Sequence, residues 1–248
     1  MAALCCITMA QAIEYYGITF GTLEVNSDNE DDIFGDGKAS YDAGTNTLFL
    51  AKGFSYSLSK GFVNFDTEKE TVNIHLEGDA SISAAVKGDK HFYISADGAY
   101  TLSIKSNTSG SALECKSLHI APNVKLDLLS RNSQSGMYAL NCAGKLKMEE
   151  STLTAEVTTA DMAVKVKELE LTKCVIEKPK GGGVNSSRGG ICYADGLPAK
   201  IVRIVPGQDQ AIETIALPDT PVQKVIRDGR LIILRGDRIY TATGQNAE

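Results

Sequence analysis

The chain has 248 residues, of which 43% are hydrophobic and 23% charged, enough apolar material to bury a sizeable core. Charged residues are mixed along the chain, which excludes wholesale disorder. A formal net charge of −6, without a basic stripe interleaved with aromatic residues, argues against nucleic acid as a partner. No apolar run approaches the roughly 20 residues of a membrane-spanning helix, so no transmembrane segment is predicted.

Residues 1–12 are more apolar than the sequence that follows them. They contain the run "AALCCITMA" and end in Ala10-Gln11-Ala12, a small-x-small pattern typical of a signal-peptide cleavage site. A basic n-region is missing, so the prediction is a truncated signal peptide, with a buried N-terminal strand or helix as the alternative. The leader predicts an exported, soluble or surface-attached protein whose mature chain begins near Ile13.

The N-terminal part of the mature chain is predicted to form a β cap. Two strands, around Ile18–Val25 and Ala39–Leu50, flank an acidic turn region. The stretch "DAGTN" at 42–46 is hairpin-turn chemistry that leads into the apolar "TLFL". A cap of this kind covers core and backbone edges that would otherwise be exposed at the end of the domain.

The acidic turn region is the best candidate for a metal site. Calcium binds several carboxylate and carbonyl oxygens that converge at about 2.3–2.6 Å, and an acidic turn supplies such ligands. The spacing does not match an EF-hand loop, so a solvated turn is the alternative, and no other cofactor is predicted. The candidate calcium ligands are Asp28, Glu30, Asp31, Asp32 and Asp36.

From about residue 70 the chain consists of short alternating runs such as "TVNIHLEG", "HFYISADG" and "KELELTK". Alternation of this kind predicts strands with one buried face. The phrases "ALECKSLHI", "ALNCAGKLKM" and "AVKVKELEL" repeat one pattern, with Leu118, Leu146 and Leu169 at equivalent positions. Repeats of this length without helical segments predict the coils of a parallel β-helix, a β-solenoid.

Aligning the repeats places Cys115, Cys142 and Val166 at one position in successive coils. Equivalent residues of adjacent coils lie ~4.8 Å apart, and a small apolar side chain suits such an inner ladder. Since valine keeps the volume without the sulfur, the three residues are predicted to form a core ladder. A stacked Cys115–Cys142 disulfide, which export permits, is the alternative, and a metal-binding or catalytic thiol is less favoured.

The same alignment predicts two outward-facing columns. They are Glu114, Asn141 and Lys165 in one column and His119, Lys147 and Glu170 in the other. A β-helix enzyme that cleaves uronic-acid polysaccharides needs stacked carboxylates to hold calcium, with a Lys or Arg base nearby. Neither column repeats an acid, so the sequence argues against an enzyme, although a uronate lyase stays open as an alternative.

The composition changes again near the C-terminus. Residues 206–221 contain prolines without periodicity and are predicted to be a linker. Residues 222–248 are predicted to form a small β-hairpin or meander, with turns at Asp228-Gly229 and Gly236-Asp237. The predicted organisation is therefore a leader, a β-helix domain at 13–205, a linker and a C-terminal tail.

Two parts of the sequence resemble known families. The stretch "GTLEVNSDNEDDIFGDGKASYDAGTNTLFL", the coil "VNIHLEGDASISA" and the repeated "ALxC" coils resemble secreted right-handed β-helix proteins of Bacteroidales that are described as carbohydrate-binding-domain-like. The tail "KVIRDGRLIILRGDRIYTATGQ" is similar to the C-terminal sorting domains of that phylum. The resemblance implies an all-β, single-stranded right-handed parallel β-helix, and a tail recognised by secretion machinery.

By the same resemblance, the expected function is non-catalytic binding of a polysaccharide or surface glycan. The chain has no Trp to stack on sugar rings, so irregular segments with tyrosines and polar side chains are the first place to look. The candidate ligand-binding residues there are Tyr138, Asn185, Arg188 and Tyr193. A purely structural or adhesive surface protein is the remaining alternative.

Overall fold

A computed structural model of the protein describes residues 12–107, 110–131, 136–160 and 162–207, and three strands at 222–227, 230–235 and 238–241. The chain divides into two compact units, Met1–Asp209 and Gln210–Glu248. The described residues form strands and turns without a helix, as the alternating sequence predicted. In this part of the chain, accordingly, no helix has the length and hydrophobicity needed to cross a membrane.

The first unit is a right-handed parallel β-helix, so the predicted fold class is confirmed. Each coil crosses three faces, of which face 1 is a seven-stranded sheet. The parallel strands of face 1 are β4 (Thr47–Leu50), β6 (Thr71–Leu76), β8 (His91–Ala96), β11 (Ser117–Ile120), β14 (Lys145–Glu149) and β17 (Glu168–Thr172).

Faces 2 and 3 belong to one 14-stranded sheet, because two long strands run across the corner between them. These are β5 (Phe54–Phe65) and β7 (Ala80–Lys87), which pair in parallel with a register shift between Ser57 and Phe62. The other parallel strands of face 2 are β9 (Thr101–Ser106), β12 (Lys125–Ser130) and β15 (Thr152–Val157). Those of face 3 are β10 (Leu113–Cys115), β13 (Leu140–Cys142) and β16 (Val164–Lys165).

The repeated triplets stack in the register that the alignment predicted. Leu118 pairs with Leu146, which pairs with Leu169, on three successive coils of face 1. On face 2 the column Leu102, Leu126 and Leu153 is fully buried. Each such side chain contributes about 1.5–3 kcal/mol by leaving water, so the inner ladders carry the stability of the coil stack.

In the N-terminal cap, each of the two predicted strands is a pair of antiparallel strands. The predicted strand Ile18–Val25 is two strands, β1 (Tyr15–Phe20) and β2 (Leu23–Asn26), which form an antiparallel hairpin. The prediction was wrong because the alternation of buried residues continues across the tight turn. β1 also pairs antiparallel with β5 and thereby covers the first coil.

The predicted turn at 42–46 is confirmed. β3 (Ala39–Asp42) pairs antiparallel with β4, and Asp42 lies opposite Thr47. The Asp42 carboxylate accepts hydrogen bonds from the Gly44 backbone N–H at 2.8 Å and from the Thr45 hydroxyl at 2.7 Å. These bonds lower the pKa of Asp42 and stabilise the turn locally.

A buried polar group joins the cap to the first coils. The Tyr41 hydroxyl donates to the Asn46 side-chain oxygen, and the Asn46 amide donates to the Thr67 hydroxyl and the Thr71 carbonyl. Asn46 is 1% exposed and Tyr41 is 6% exposed. Desolvation raises the pKa of Tyr41 to about 12, because the phenolate would lose its hydration.

This pKa predicts a loss of stability at alkaline pH. The unfolded chain releases the Tyr41 proton near pH 10, whereas the folded chain holds it to about pH 12, so stability falls across that window. The fall is expected to reach about 2 kcal/mol at pH 12 and to be reduced in Tyr41→Phe. Urea unfolding between pH 8 and 12 measures it, with the exposed Tyr15→Phe as control. An unchanged pH slope in Tyr41→Phe would contradict the assignment.

The C-terminal end of the β-helix is antiparallel rather than a further parallel coil. β19 (Gly183–Asn185) and β20 (Gly190–Cys192) form a hairpin that continues face 3. β21 (Ile201–Pro206) lies between β15 and β18 (Cys174–Lys178), antiparallel to both. The sequence does not distinguish this end from a further parallel coil, since an alternating strand has the same pattern in either direction.

The second unit contains three described strands, β22 (Val222–Arg227), β23 (Arg230–Arg235) and β24 (Arg238–Thr241). They pair antiparallel in chain order, which confirms the predicted meander. The turns predicted at 228–229 and 236–237 lie outside the described residues, as do residues 1–11 of the leader predicted at 1–12 and residues 208–221 of the linker predicted at 206–221. The described start of the predicted linker, Pro206, is the last residue of β21.

Candidate functional site

A cavity of about 260 Å³ opens on face 3 of the β-helix. The side chains and backbone around it come from four successive coils, which brings together residues far apart in sequence. The cavity is lined chiefly by Asn64, Lys87, Asp89, Glu114, Cys115 and Asn141.

The cavity lies on one outward column of in-register residues, here called the face-3 column: Asn64, Lys87, Glu114, Asn141 and Lys165. These side chains face outward because their chain neighbours are buried. Adjacent members are separated by the strand spacing of ~4.8 Å, so amide, ammonium and carboxylate groups follow one another at regular intervals.

Two aromatic rings flank the face-3 column. The Lys87 ammonium lies 4.1 Å from the centroid of the Phe62 ring, and the Lys165 ammonium lies 5.3 Å from that of Tyr138. Gly110 permits this arrangement, since a β-carbon there would lie 2.9 Å from Phe62 Cε1. The two cation–π contacts hold both lysine side chains against the protein surface.

The backbone next to Tyr138 is also fixed. Its N–H donates to the Ser111 hydroxyl at 3.1 Å, and its carbonyl accepts from the Ala112 N–H at 3.1 Å. Ser111 and Ala112 are buried residues of the preceding coil. The half-buried Tyr138 therefore projects from a rigid corner of the β-helix onto face 3.

The other three predicted ligand-binding residues lie at the C-terminal end of the β-helix. Asn185 ends β19, and its side-chain oxygen accepts from the Arg188 N–H at 3.1 Å. Tyr193 is 46% exposed and follows β20 directly. Tyr138 is linked to this hairpin through Lys165, whose ammonium lies over its ring and whose backbone pairs with Gly190 of β20. The structure thus groups Asn185 and Arg188 in one turn and places Tyr138 beside the face-3 column.

The predicted calcium ligands have contacts within the protein. The Asp32 carboxylate accepts from the backbone N–H groups of Asp36 and Gly37 at 3.0–3.1 Å. A hydrogen bond to Glu30 raises the pKa of Tyr16 to about 12. Among the described residues, no group of three or more His, Cys, Asp or Glu side chains is placed to hold a metal ion. Calcium binding by this turn stays a prediction.

All three histidines of the chain lie on the outer surface of face 1. His75 Nε2 is 3.1 Å from the Asp97 carboxylate, and the His119 ring lies 4.9 Å from that of Tyr93. His119 is followed in its column by Lys147 and Glu170, as the alignment predicted.

The charges of face 1 are paired both within β14 and between β14 and β17. Lys147 Nζ lies 2.6 Å from Glu149, and this hydrogen bond lowers the pKa of the Glu149 carboxyl. Lys145 Nζ lies 3.1 Å from Glu170 and 3.6 Å from Glu168. Exposed ion pairs of this kind contribute little to stability. In these pairs the charges of the described part of face 1 neutralise one another.

The four described cysteines are free thiols and all are buried. Cys115 pairs with Cys142 across β10 and β13, and the fully buried Val166 directly follows β16. The three residues thus line the inside of the corner on successive coils, directly behind the face-3 column.

The sequence repeat identifies three members of the face-3 column but not Asn64, Lys87 or the flanking Phe62. Alternation in "FVNF" and "AAVK" would have predicted that Asn64 and Lys87 face outward. Their alignment with Glu114 could not be derived, because the first coils do not share the "ALxC" phrase that fixes the register later. No known protein family, curated protein or solved structure matches the chain.

Proposed function

We propose that the protein is an exported, non-catalytic surface or extracellular protein that binds a glycan along the face-3 column. The observation that carries the proposal is the column itself, with its cavity and the flanking rings of Phe62 and Tyr138. The resemblance to carbohydrate-binding-domain-like β-helix proteins supports the same function.

The chemistry of the column suits sugar hydroxyl groups. Asn64 and Asn141 offer both donors and acceptors, Lys87 and Lys165 donate, and Glu114 accepts. These groups repeat along a straight face, so they can contact successive units of an extended polysaccharide. Lys87 and Lys165 are balanced by Glu114 and by Asp89 of the cavity lining, so these charges do not select between a neutral glycan and one that contains uronic acids.

The arrangement of carboxylates supports binding rather than cleavage. In the outward columns of faces 1 and 3, among the described residues, no carboxylate lies in register directly above another carboxylate. A lyase of the kind considered above needs such a stack to hold calcium. The protein is therefore expected to bind the glycan without cleaving it, and the binding test below also detects cleavage.

Replacing Asn141 with alanine is expected to weaken glycan binding by at least tenfold, about 1.4 kcal/mol, because its amide lines the cavity between Glu114 and Lys165 of the column. The full chain is first screened against polygalacturonate, alginate and neutral glucans, with and without calcium. Titration calorimetry with the best ligand then compares the native protein with the variant. The matched control is Lys147→Ala, an outward residue of face 1, which should retain the native dissociation constant.

Three results would contradict the proposal. Equal loss of affinity in the two variants would place binding elsewhere or make it non-specific. New unsaturated or reducing ends would indicate the lyase alternative. If the protein neither binds nor cleaves any polysaccharide of the screen, a structural or adhesive role is favoured.

Export and surface location are part of the proposal. The support is the apolar segment 1–12 and the similarity of residues 222–248 to sorting domains. A glycan-binding protein on the cell surface or outside it meets polysaccharides directly, so location and ligand are mutually supportive.

A further inference from the structure

Cys115 and Cys142 form an isolated pair of thiols between two adjacent coils. They are the last residues of β10 and β13 and are paired in register. Both are free, with exposures of 3% and 1%. The next position of this inner ladder holds Val166, so the ladder contains two sulfur atoms and ends in a hydrocarbon side chain.

The backbone spacing suits a covalent bond between them. Adjacent strands lie about 4.8 Å apart, within the range of about 4.4–6.8 Å between Cα atoms that disulfides require. Both cysteines end their strands at a corner, where the Cys115 carbonyl accepts from the Ala143 N–H at 2.9 Å. The pair therefore lies where the chain turns rather than in the middle of a sheet.

The two thiols differ in acidity and lie next to the cavity. A hydrogen bond from the Cys115 S–H lowers the pKa of Cys142 and raises that of Cys115. Cys142 is therefore the first to form a thiolate, the nucleophilic form. The cavity of about 260 Å³ is lined by Cys115 and by both chain neighbours of Cys142, so a small solute there lies against the backbone that carries both thiols.

We infer that Cys115 and Cys142 are an oxidative modification site, at which hydrogen peroxide converts the two thiols into a disulfide that crosslinks adjacent coils. The Cys142 thiolate attacks one peroxide oxygen; an S–O bond forms, the O–O bond breaks, and the leaving hydroxide takes a proton to become water. The deprotonated Cys115 sulfur then attacks the Cys142 sulfur, and the displaced hydroxide leaves as a second water with the Cys115 proton. Both sulfurs are oxidised and both peroxide oxygens are reduced.

The test treats the folded full-length chain with hydrogen peroxide and then digests it with trypsin without reduction. The expected product is a single crosslink between peptides 106–116 and 132–145, which contain Cys115 and Cys142. The crosslink should raise the thermal midpoint by roughly 5–15 °C, since it closes a loop in the unfolded chain. Reduction should restore both the free thiols and the original midpoint.

Two variants make the result specific. Cys115→Val copies the residue found at the next position of the ladder and should fold, yet form no crosslink. Cys174→Val removes a buried cysteine of another coil, whose thiol contacts the Ser151 backbone, and should crosslink as the native protein does. A crosslink to Cys174 or Cys192, over-oxidation of Cys142 without a crosslink, or crosslinking only after unfolding would each overturn the inference.

Discussion

Replacing Asn46 with alanine is expected to lower the free energy of unfolding by about 4 kcal/mol, one of the largest losses for any polar residue of the cap. The side chain is buried and bonds Tyr41, Thr67 and Thr71 at once. Its removal leaves buried donors and acceptors without partners, at about 1–3 kcal/mol each. Asn46 also has a φ of 53°, which alanine tolerates less well. Urea unfolding followed by circular dichroism measures the change.

Asn123→Ala separates the two causes. Asn123 has a φ of 68°, but its side chain is exposed. Its replacement should therefore cost only the backbone term, about 1 kcal/mol. If both variants lose the same stability, the buried network contributes nothing and only the left-handed backbone matters.

The fold was predictable where side chains of similar size recur at equivalent positions of successive repeats. The repeat places three leucines on one face, Leu118, Leu146 and Leu169. Val166 lies where the other two repeats have a cysteine, so this inner ladder requires a side chain of that size rather than sulfur. The split of the first predicted strand and the antiparallel β21 were not predictable in this way. Ile204 of β21 continues the column of Leu153 although its strand runs in the opposite direction. Alternation reports which side chains are buried and not the direction of the strand.

The candidate site was predictable only in part, for a related reason. Glu114, Asn141 and Lys165 share a phrase that fixes their register, whereas Asn64 and Lys87 belong to strands with a register shift. Tyr138 was predicted as a ligand contact from its residue type, and the structure places it beside Lys165. The role of Asn46 could not be predicted from the sequence, which indicates only that Asn46 lies in a turn. In the structure its buried side chain forms hydrogen bonds with Thr67 and Thr71.

The second large effect concerns the C-terminal end of the β-helix, where Gly190→Ala is expected to cost about 3 kcal/mol. A β-carbon at Gly190 would lie 2.2 Å from Met162 Sδ and 2.4 Å from the Val164 carbonyl oxygen. The methionine can move, but the carbonyl belongs to β16, on which β20 is paired through Lys165. The clash must therefore push β20 away from the last parallel coil. Urea unfolding and amide hydrogen exchange of residues 183–192 measure the loss.

The same hairpin offers a matched control in Gly183→Ala. A β-carbon at Gly183 meets no atom within 4 Å, so this change should leave stability within about 0.5 kcal/mol of the native value. Hydrogen exchange distinguishes the two variants more clearly than urea unfolding does. In Gly190→Ala the backbone amides of β19 and β20 should lose protection before those of the parallel coils. Uniform loss of protection across all coils would mean that the hairpin is not a separate cap. In that case the antiparallel end would unfold only together with the inner ladders.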